Sequence, residues 1–387
     1  MLKTDLLKGH VPLGIALSGG SDSTALLILA SEVLGAENLR AVTVDHGLRA
    51  GARAEAEQAA SLCASLGVAH EIITLKLANS ADLQARARAA RYDTLSAWSA
   101  RTGVAAIALG HTENDVAETF LMRLSRGSGV DGLAQMPERF SRKGTIYLRP
   151  LLNVPRAALR EMLQSKNIAW SDDPSNEDRR FTRVQMRQAD GAREELGLST
   201  SRLSQTAKWM RAASEVLENA ADDWIVRHAR VDHGDAVFNQ AALRAAPEET
   251  ACRMFARALC NISGNPYRPR FSALEEALKS NAAMTLHGCL IYPHGDDLRI
   301  TRELNAIKGQ DPRWYVKNDL GTFVMRALAE VGLSQISDWR ETALLPRRSL
   351  LSSPAIWDGN RVVAAPFARP DPDWDVTIAD PLKRAAT

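Results

Sequence analysis

Apolar residues in the first part of the chain come in short runs, separated by longer stretches with helical spacing. The runs Leu13–Leu17 and Ala105–Leu109 have counterparts at 40–44 and 71–75. Between them, helical spacing extends over 22–34, 52–66, 81–101 and 112–125. A further strand near 146–148 precedes Pro155, which suits a helix start. Strands alternating with crossover helices are typical of βαβ units, so the pattern predicts a doubly wound α/β fold with a parallel sheet.

The pattern changes after about residue 182. From there to about 262 it is mostly helical, and two short apolar runs within 290–302 flank Gly295-Asp296 as in a hairpin. The stretch 305–320 is polar and irregular. We therefore expect three parts, because single domains rarely reach this length: a catalytic α/β domain over 1–215, a mainly helical domain with a hairpin over 216–305, and a linker with a small C-terminal unit over 306–387.

Composition narrows the class of protein. Of the residues, 45% are hydrophobic and 24% are charged, and no apolar run approaches the ~20 residues of a membrane span. We expect a cytoplasmic protein without a membrane partner. The four cysteines form no CxxC pair, so neither a zinc knuckle nor a disulfide framework is predicted. A net charge of +2 does not by itself indicate nucleic-acid binding, so local basic patches decide that question.

A turn rich in glycine and serine joins the first predicted strand to the first predicted helix. It reads Ser18-Gly19-Gly20-Ser21-Asp22-Ser23. Glycines let backbone N–H groups approach phosphate oxygens, and a helix N-terminus adds partial positive charge. Its spacing matches neither GxxxxGK[ST] nor GxGxxG. Such a turn could serve only as a helix cap, but its place in an α/β series favours a pyrophosphate cradle.

Polar residues also follow two other predicted strands, at the edge where open α/β sheets bind ligands. Asp45 and His46 end the second strand. His111, Asp115 and Glu118 follow the fourth, at helical positions i, i+4 and i+7. Carboxylates on one helix face could hold a magnesium ion and place a histidine near transferring charge. They could also cap a solvated helix, and His46 could be structural.

These motifs resemble a known enzyme family. The SGGxDS loop is similar to that of the N-type ATP pyrophosphatases, or PP-loop enzymes, which bind ATP and release AMP and pyrophosphate. GHTxxDxxET at 110–119, followed by RGSGxxGL at 126–133, resembles the tRNA(Ile)-lysidine synthetases in particular. The resemblance covers about residues 12–190 and is only an outline beyond them. Its other matches are VDHGLR at 44–49, ARAARY at 87–92, RPLL at 149–152, and Trp170 with DPSN at 173–176.

The resemblance implies a ligase that uses ATP and Mg²⁺. It would join free lysine to carbon two of the wobble cytidine in the CAU anticodon of an isoleucine tRNA. In the family reaction the cytosine is adenylated and the lysine amine then displaces AMP. The loop 18–23 would bind ATP, and Asp22 and Asp45 are candidate magnesium ligands. The implied catalytic residues are Asp45, His111, Asp115, Glu118 and Arg126, and Arg88 and Arg91 are candidates for contacts to phosphate or lysine.

An arginine stripe offers a contact surface for RNA. Arg179, Arg183 and Arg187 step by four and fall on one face if that stretch is helical. This is the best local basic stripe for tRNA phosphates, although a solvated face with surface ion pairs is the alternative. The chain beyond about 210 has no catalytic motif, so we expect it to select and orient the tRNA.

Two positions depart from the family pattern. Val116 stands where glutamine is frequent, and Val184 stands where asparagine is common. Each change removes an amide but no charge or nucleophile, so activity should persist. Among rival functions, a tRNA thiolase would need paired cysteines, and the GMP, NAD and argininosuccinate synthetases would leave RGSGxxGL unexplained. An RNA-binding protein without catalysis would not need the full set of polar site residues.

Overall fold

The structure is a computed structural model, and it describes residues 2–45, 51–75, 83–171 and 182–384. The chain divides into two compact units, the first extending to Ser214 and the second beginning at Glu215. In the part of the chain that the structure describes, no helix combines the length and apolarity needed to cross a membrane.

A six-stranded sheet forms the centre of the first unit. Its strands are β1 (Leu13–Ala16), β2 (Leu39–Asp45), β3 (Ala69–Thr74), β4 (Ala106–Leu109), β5 (Arg139–Arg142) and β6 (Thr145–Leu148). They lie in the order β3-β2-β1-β4-β6-β5, and every neighbouring pair is parallel except β5 with β6. The doubly wound α/β fold predicted from the sequence is confirmed.

Helices cover both faces of this sheet, which is why its central strands β1 and β4 are continuous apolar runs. On β1, Leu13 and Ile15 pack into one core and Ala16 packs into the other, because successive side chains of a strand alternate between faces. The helices of this unit are α1 (Ser21–Leu34), α2 (Ala52–Leu66), α3 (Leu83–Thr102), α4 (Glu113–Leu124), α5 (Val130–Leu133), α6 (Arg156–Ser165), α7 (Thr182–Gln188), α8 (Asp190–Glu195) and the first part of α9 (Thr200–His228).

The order of the strands fixes the position of a ligand crevice. β1 is flanked by β2 on one side and β4 on the other, so the connections that leave β1 and β4 diverge at their carboxyl ends. Open α/β sheets bind their ligands at such a switch point. The loop 18–23 follows β1, and the turn 110–112 follows β4.

The second unit contains an antiparallel sheet in the order β7-β8-β11-β10-β9. Its elements are β7 (Ala229–Asp232), β8 (Asp235–Asn239), α10 (Gln240–Ala245), α11 (Glu248–Ser263), α12 (Phe271–Lys279), β9 (Met284–Leu286), β10 (Cys289–His294) and β11 (Asp297–Arg302). The predicted hairpin is the β10–β11 pair. The expectation of a mainly helical stretch over 182–262 was wrong for 229–239, because Ala236, Val237 and Phe238 form a buried strand between two helices.

The rest of the second unit has its own apolar core around Ile356 and Trp357. Its elements are β12 (Trp314–Val316), β13 (Val324–Ala327), α13 (Ala329–Leu333), α14 (Trp339–Thr342), α15 (Arg347–Leu350), β14 (Pro354–Asp358), β15 (Arg361–Ala364) and β16 (Val376–Ile378). A buried chain of hydrogen bonds connects it to the antiparallel sheet. Ser349 Oγ donates to Asp235 Oδ2 across 2.5 Å and lies 2.6 Å from the hydroxyl of Tyr292.

Candidate active site

The loop 18–23 is braced by the hydroxyl of Ser23. This oxygen accepts a hydrogen bond from the backbone N–H of Ser18 at 3.1 Å and donates to the carbonyl of Gly20 at 3.1 Å. Gly19 has φ +84°, a conformation that favours glycine. The first N–H groups of α1 have no intrahelical acceptor, as at any helix N-terminus, and they can therefore bind an anion. This geometry is compatible with the phosphate cradle that the sequence predicts.

The end of β4 touches this loop directly. A Cβ atom at Gly110 would lie 3.0 Å from backbone atoms of both Asp22 and Ser23. A larger residue would force the two segments apart, so glycine is required at this close approach. The phosphate loop and the motif that follows β4 therefore belong to one site.

Asp115 has a structural role as well as a position in the site. Its Oδ2 accepts hydrogen bonds from the backbone N–H and the hydroxyl of Thr112, both at 2.9 Å, and so closes the first turn of α4. Burial by itself raises the pKa of Asp115, but Arg156, His111 and the bonds from Thr112 lower it below its ordinary value. Asp115 is therefore an anion near neutral pH.

Arg156 joins the loop to the acidic face of α4. Its Nε lies 2.8 Å from Asp22 Oδ2, and its two terminal nitrogens lie 3.4 Å from Asp115 Oδ2 and from Glu118 Oε1. Its backbone N–H donates to Asn114 Oδ1 at 2.9 Å, which fixes the start of α6 against α4. Burial by itself lowers the pKa of Arg156, but the neighbouring carboxylates raise it overall, so the guanidinium stays charged.

Glu118 is the most buried carboxylate of the group, with 4% of its side chain exposed. Arg187 on α7 donates to it through Nε at 2.6 Å and Nη2 at 3.3 Å. Three carboxylates, those of Asp22, Asp115 and Glu118, thus share two arginines and keep one net negative charge. We call these five residues the acidic cluster.

A group of basic residues lies beside His111. Burial lowers the pKa of His111 far below its ordinary value; Asp115 opposes this shift, and Arg149 and Arg91 add to it. The imidazole is therefore neutral at pH 7, and its Nδ1 is buried without a partner among the described residues. The pKa of Arg91 is lowered by burial and by the neighbouring charge of Arg88. Within the described residues no carboxylate is paired with Arg91.

Comparison with known proteins identifies the family. Residues 2–190 match the model of the PP-loop domain. The tRNA(Ile)-lysidine synthase of Ruegeria pomeroyi is 39% identical over 376 residues, which is 92% of this chain and 88% of that protein. The enzyme of the same name from Hyphomonas neptunium is 38% identical over 294 residues, covering 72% of this chain and 78% of the relative. The chain belongs to the tRNA(Ile)-lysidine synthase family.

Among solved structures, the chain is similar to the U34-tRNA thiolase NcsA from Methanococcus maripaludis with its [4Fe-4S] cluster. The TM-score is 0.47 and the identity 19%, over 55% of this chain and 76% of the thiolase. This likeness is too distant to carry an argument. The assignment to the tRNA(Ile)-lysidine synthase family rests on the sequence relatives.

Several of the site residues predicted for this family member lie together. Loop 18–23, His111, Asp115, Glu118 and Arg187 surround the carboxyl ends of β1 and β4. Asp45 ends β2, the strand next to β1, and is buried.

Other predicted residues are exposed or lie outside the described residues. Arg126 and Arg88 are exposed, and the charge of Arg88 acts on His111 and Arg91. His46 and Arg179 fall outside the described residues. Arg183 lies on α7, where the structure describes the backbone of that residue but not its side chain.

Sequence reasoning missed the two arginines of α6. Arg156 binds the three carboxylates of the acidic cluster, and Arg160 Nε lies 3.4 Å from the hydroxyl of Ser21 in the phosphate loop. Their spacing of four places both on one helix face, and this signal was present beside the helix start predicted at Pro155. Ser171 was also missed: its backbone N–H donates to the carbonyl of Gly19 at 2.9 Å.

Proposed function

We propose that this enzyme joins free lysine to carbon two of the wobble cytidine in an isoleucine tRNA with a CAU anticodon. ATP adenylates the cytosine oxygen with release of pyrophosphate, and the lysine amine then displaces AMP. The observation that carries the proposal is that Arg156 links Asp22 of the phosphate loop to the buried carboxylates of Asp115 and Glu118. The phosphate loop suits a triphosphate, and the carboxylates suit an amine.

ATP is assigned to loop 18–23 and the N-terminus of α1. Backbone N–H groups and serine hydroxyls would bind the departing pyrophosphate, and Arg160 beside Ser21 adds a positive charge. These groups are held in place before ATP binds, so little reorganisation is needed when charge develops on the leaving group.

The donor set at the loop fits Mg²⁺. Mg²⁺ prefers oxygen ligands and usually binds through one or two carboxylates together with substrate phosphates. Asp22, in the loop itself, and Asp45, at the end of the adjacent strand, offer such oxygens. Among the described residues, no group of three or more His, Cys, Asp or Glu could hold a metal ion without the nucleotide. When bound, the ion would neutralise charge on the transferring phosphates.

Lysine is assigned to the acidic cluster and the neighbouring basic group. The one net negative charge left on the cluster suits an ammonium group. Arg91, which has no carboxylate partner among the described residues, suits the carboxylate of lysine or a phosphate oxygen. His111, neutral at pH 7, would serve as a hydrogen-bonding group between the two rather than as a strong base.

The second unit is assigned to tRNA. An open cleft of about 430 Å³ on this unit is lined by Tyr292, His294, Arg347 and Arg348, among others. The guanidinium of Arg348 lies 5.4 Å from the centre of the Tyr292 ring. Arginine side chains bind RNA phosphates, and the buried ring of Tyr292 supports the guanidinium of Arg348. Positioning the anticodon at the first unit would make adenylation effectively intramolecular.

The decisive experiment incubates the full-length protein with ATP, radiolabelled lysine and bulk tRNA, and then analyses the nucleosides of the tRNA. We expect labelled lysidine, formed with stoichiometric AMP. A protein that binds ATP and tRNA but transfers no lysine would contradict the proposal. A synthetic anticodon stem with cytidine replaced by uridine at the wobble position is the matched control and should accept none.

A further inference from the structure

Arg156 occupies the position where a cation would be expected to bind. Its Nε donates to Asp22 Oδ2 at 2.8 Å, while the hydroxyl of Ser21 lies 3.2 Å from Asp22 Oδ1. Both oxygens of the proposed magnesium ligand are therefore engaged before any nucleotide is present. The side chains of Arg156 and Asp22 are each 18% exposed, so water screens their interaction only weakly.

A divalent ion at Asp22 would lie within a few ångströms of this guanidinium. Arg156 keeps its charge, because a guanidinium is not deprotonated in proteins. The ion must therefore either displace the guanidinium from Asp22 or bind beside a fixed positive charge. Both routes weaken binding of a metal ion on its own.

ATP changes this balance. Its phosphates add several negative charges next to the same groups, and Arg156 and Mg²⁺ are then both attracted to the site instead of competing for one carboxylate. Asp115 and Glu118, each 3.4 Å from a terminal nitrogen of Arg156, can hold the guanidinium if it leaves Asp22.

We propose that Arg156 is a positioning residue that acts as the resident counter-cation of Asp22, so that magnesium enters the site only together with ATP. The pairing of Arg156 with Asp22 keeps the acidic cluster free of divalent ions, so the cluster can bind the lysine ammonium. This proposal rests on the assignment of Asp22 as a magnesium ligand in the proposed function.

The test measures binding of Mn²⁺, a spectroscopic substitute for Mg²⁺, to full-length protein without ATP by electron paramagnetic resonance. Arg156→Gln should bind Mn²⁺ at least tenfold more tightly than the unmodified protein. Arg156→Lys, which keeps the positive charge, should remain weak. Lys166→Gln is the matched control, because it removes a positive charge at the other end of α6, where Lys166 pairs with Glu32. The Mn²⁺ affinity of this variant should equal that of the unmodified protein. An unchanged Mn²⁺ affinity in folded Arg156→Gln overturns the proposal.

Removing Arg156 leaves three carboxylates close together and could prevent folding. The variant Arg156→Gln with Asp115→Asn keeps the net charge of the cluster, and it should bind Mn²⁺ more tightly than Asp115→Asn alone. Equal affinity of these two variants also overturns the proposal. The gain in Mn²⁺ affinity from Arg156→Gln should disappear when Asp22→Asn is added.

A separate measurement tests the proposed function. If Asp22→Asn alone leaves the binding of Mn²⁺ together with ATP unchanged, Asp22 is not the magnesium ligand, and this result is distinct from a failure of the Arg156 proposal.

Discussion

Arg187 Nε lies 2.6 Å from Glu118 Oε1, so an arginine of the predicted RNA-binding stripe is paired with a buried carboxylate of the candidate active site. The pair joins α7 to α4 across 69 positions of the chain. Only 4% of the Glu118 side chain is exposed, against 30% for Arg187. The arginines paired with Glu118 stabilise its buried charge, because removing one partner of a buried pair leaves an uncompensated charge.

Arg187→Ala should therefore lower the free energy of unfolding by about 2 kcal/mol, less than for a fully buried pair. Glu118→Gln combined with Arg187→Ala should cost less than the sum of the single variants, because the two side chains interact. Urea denaturation of the four proteins of this cycle measures both effects. If Arg187 instead served tRNA phosphates, Arg187→Ala would leave stability unchanged and flatten the salt dependence of tRNA binding.

The phosphate loop gives a second prediction. Ser23→Ala removes the oxygen that braces Ser18 and Gly20, and Asp22→Ala removes the proposed magnesium ligand. Either change should abolish tRNA-dependent release of AMP from ATP and lysine while the far-ultraviolet circular dichroism stays unchanged. Ser165→Ala, at an exposed hydroxyl on α6, is the control and should keep full turnover. Turnover at the normal rate in Ser23→Ala would refute the role of the loop.

How far the site could be predicted depended on the distance along the chain between interacting residues. The phosphate loop and the acidic face of α4 are local patterns, a turn after a strand and a helical spacing, and both could be recognised without a structure. The partners of Arg156 could not be predicted, because Asp22, Asp115 and Glu118 are 134, 41 and 38 positions away. They meet because β6 lies next to β4, and periodicity does not reveal strand order.

In the fold, too, local patterns could be predicted and pairings between remote segments could not. The sequence pattern predicted the positions of β1, β2, β3, β4 and β6 of the first unit correctly, and β1 and β4 are unbroken apolar runs because they are buried on both faces. The edge strand β5, with the sequence RFSR, was not predicted. The pair β7–β8 was missed. Its strands have 4 and 5 residues, and their turn is His233-Gly234, both at positive φ, instead of the Asn-Gly or Asp-Gly pair that signals a hairpin most clearly. Short strands of this kind are specified by pairing with β11, which is remote in the chain.

A third prediction concerns pH and the second unit. Burial raises the pKa of Asp235 to about 6, and the bond from Ser349 and the charge of Arg299 offset only part of this shift. The folded state therefore holds this proton more tightly than the unfolded state, whose pKa is 3.8. Its stabilising contribution is complete below pH 3.8 and is lost as the pH rises through about 6.

Asp235→Asn, which resembles the protonated acid, should thus gain stability relative to the unmodified protein between pH 4.5 and 7.5, by at most about 3 kcal/mol. Thermal unfolding of both proteins across that range measures the difference. Asp296→Asn, at an exposed position in the β10–β11 turn, is the control and should show no such trend. A stability difference for Asp235→Asn that does not depend on pH would contradict the raised pKa.

A fourth prediction tests the cleft of the second unit. Arg347→Ala with Arg348→Ala should weaken tRNA binding and reduce the slope of its salt dependence by about two, because each arginine would neutralise one phosphate. ATP affinity should not change. Arg347 also pairs with Glu330 at 2.6 Å, an exposed pair whose removal should cost little stability. Unchanged tRNA affinity in the double variant would place the RNA surface elsewhere.

The last prediction separates chemistry from tRNA selection. The first unit ends at Ser214, within α9. Leu203 and Ala207, in the first part of that helix, are buried together with Phe120 of α4, and the backbone N–H of Gln135 donates to the carbonyl of Ala207 at 2.9 Å. A truncated protein ending at 214 keeps all of these interactions. It should therefore unfold cooperatively and bind ATP as the full chain does, because every group assigned to the nucleotide lies within it.

The truncated protein should lose at least tenfold in tRNA affinity and nearly all lysidine formation, since the anticodon is no longer held against the α-phosphate. Isothermal titration with ATP, filter binding of tRNA and the lysine-transfer assay measure the three properties separately. Truncated protein that modifies full-length tRNA at the rate of the intact chain would show that specificity resides in the first unit, and the arginines of α7 would then be the next surface to test.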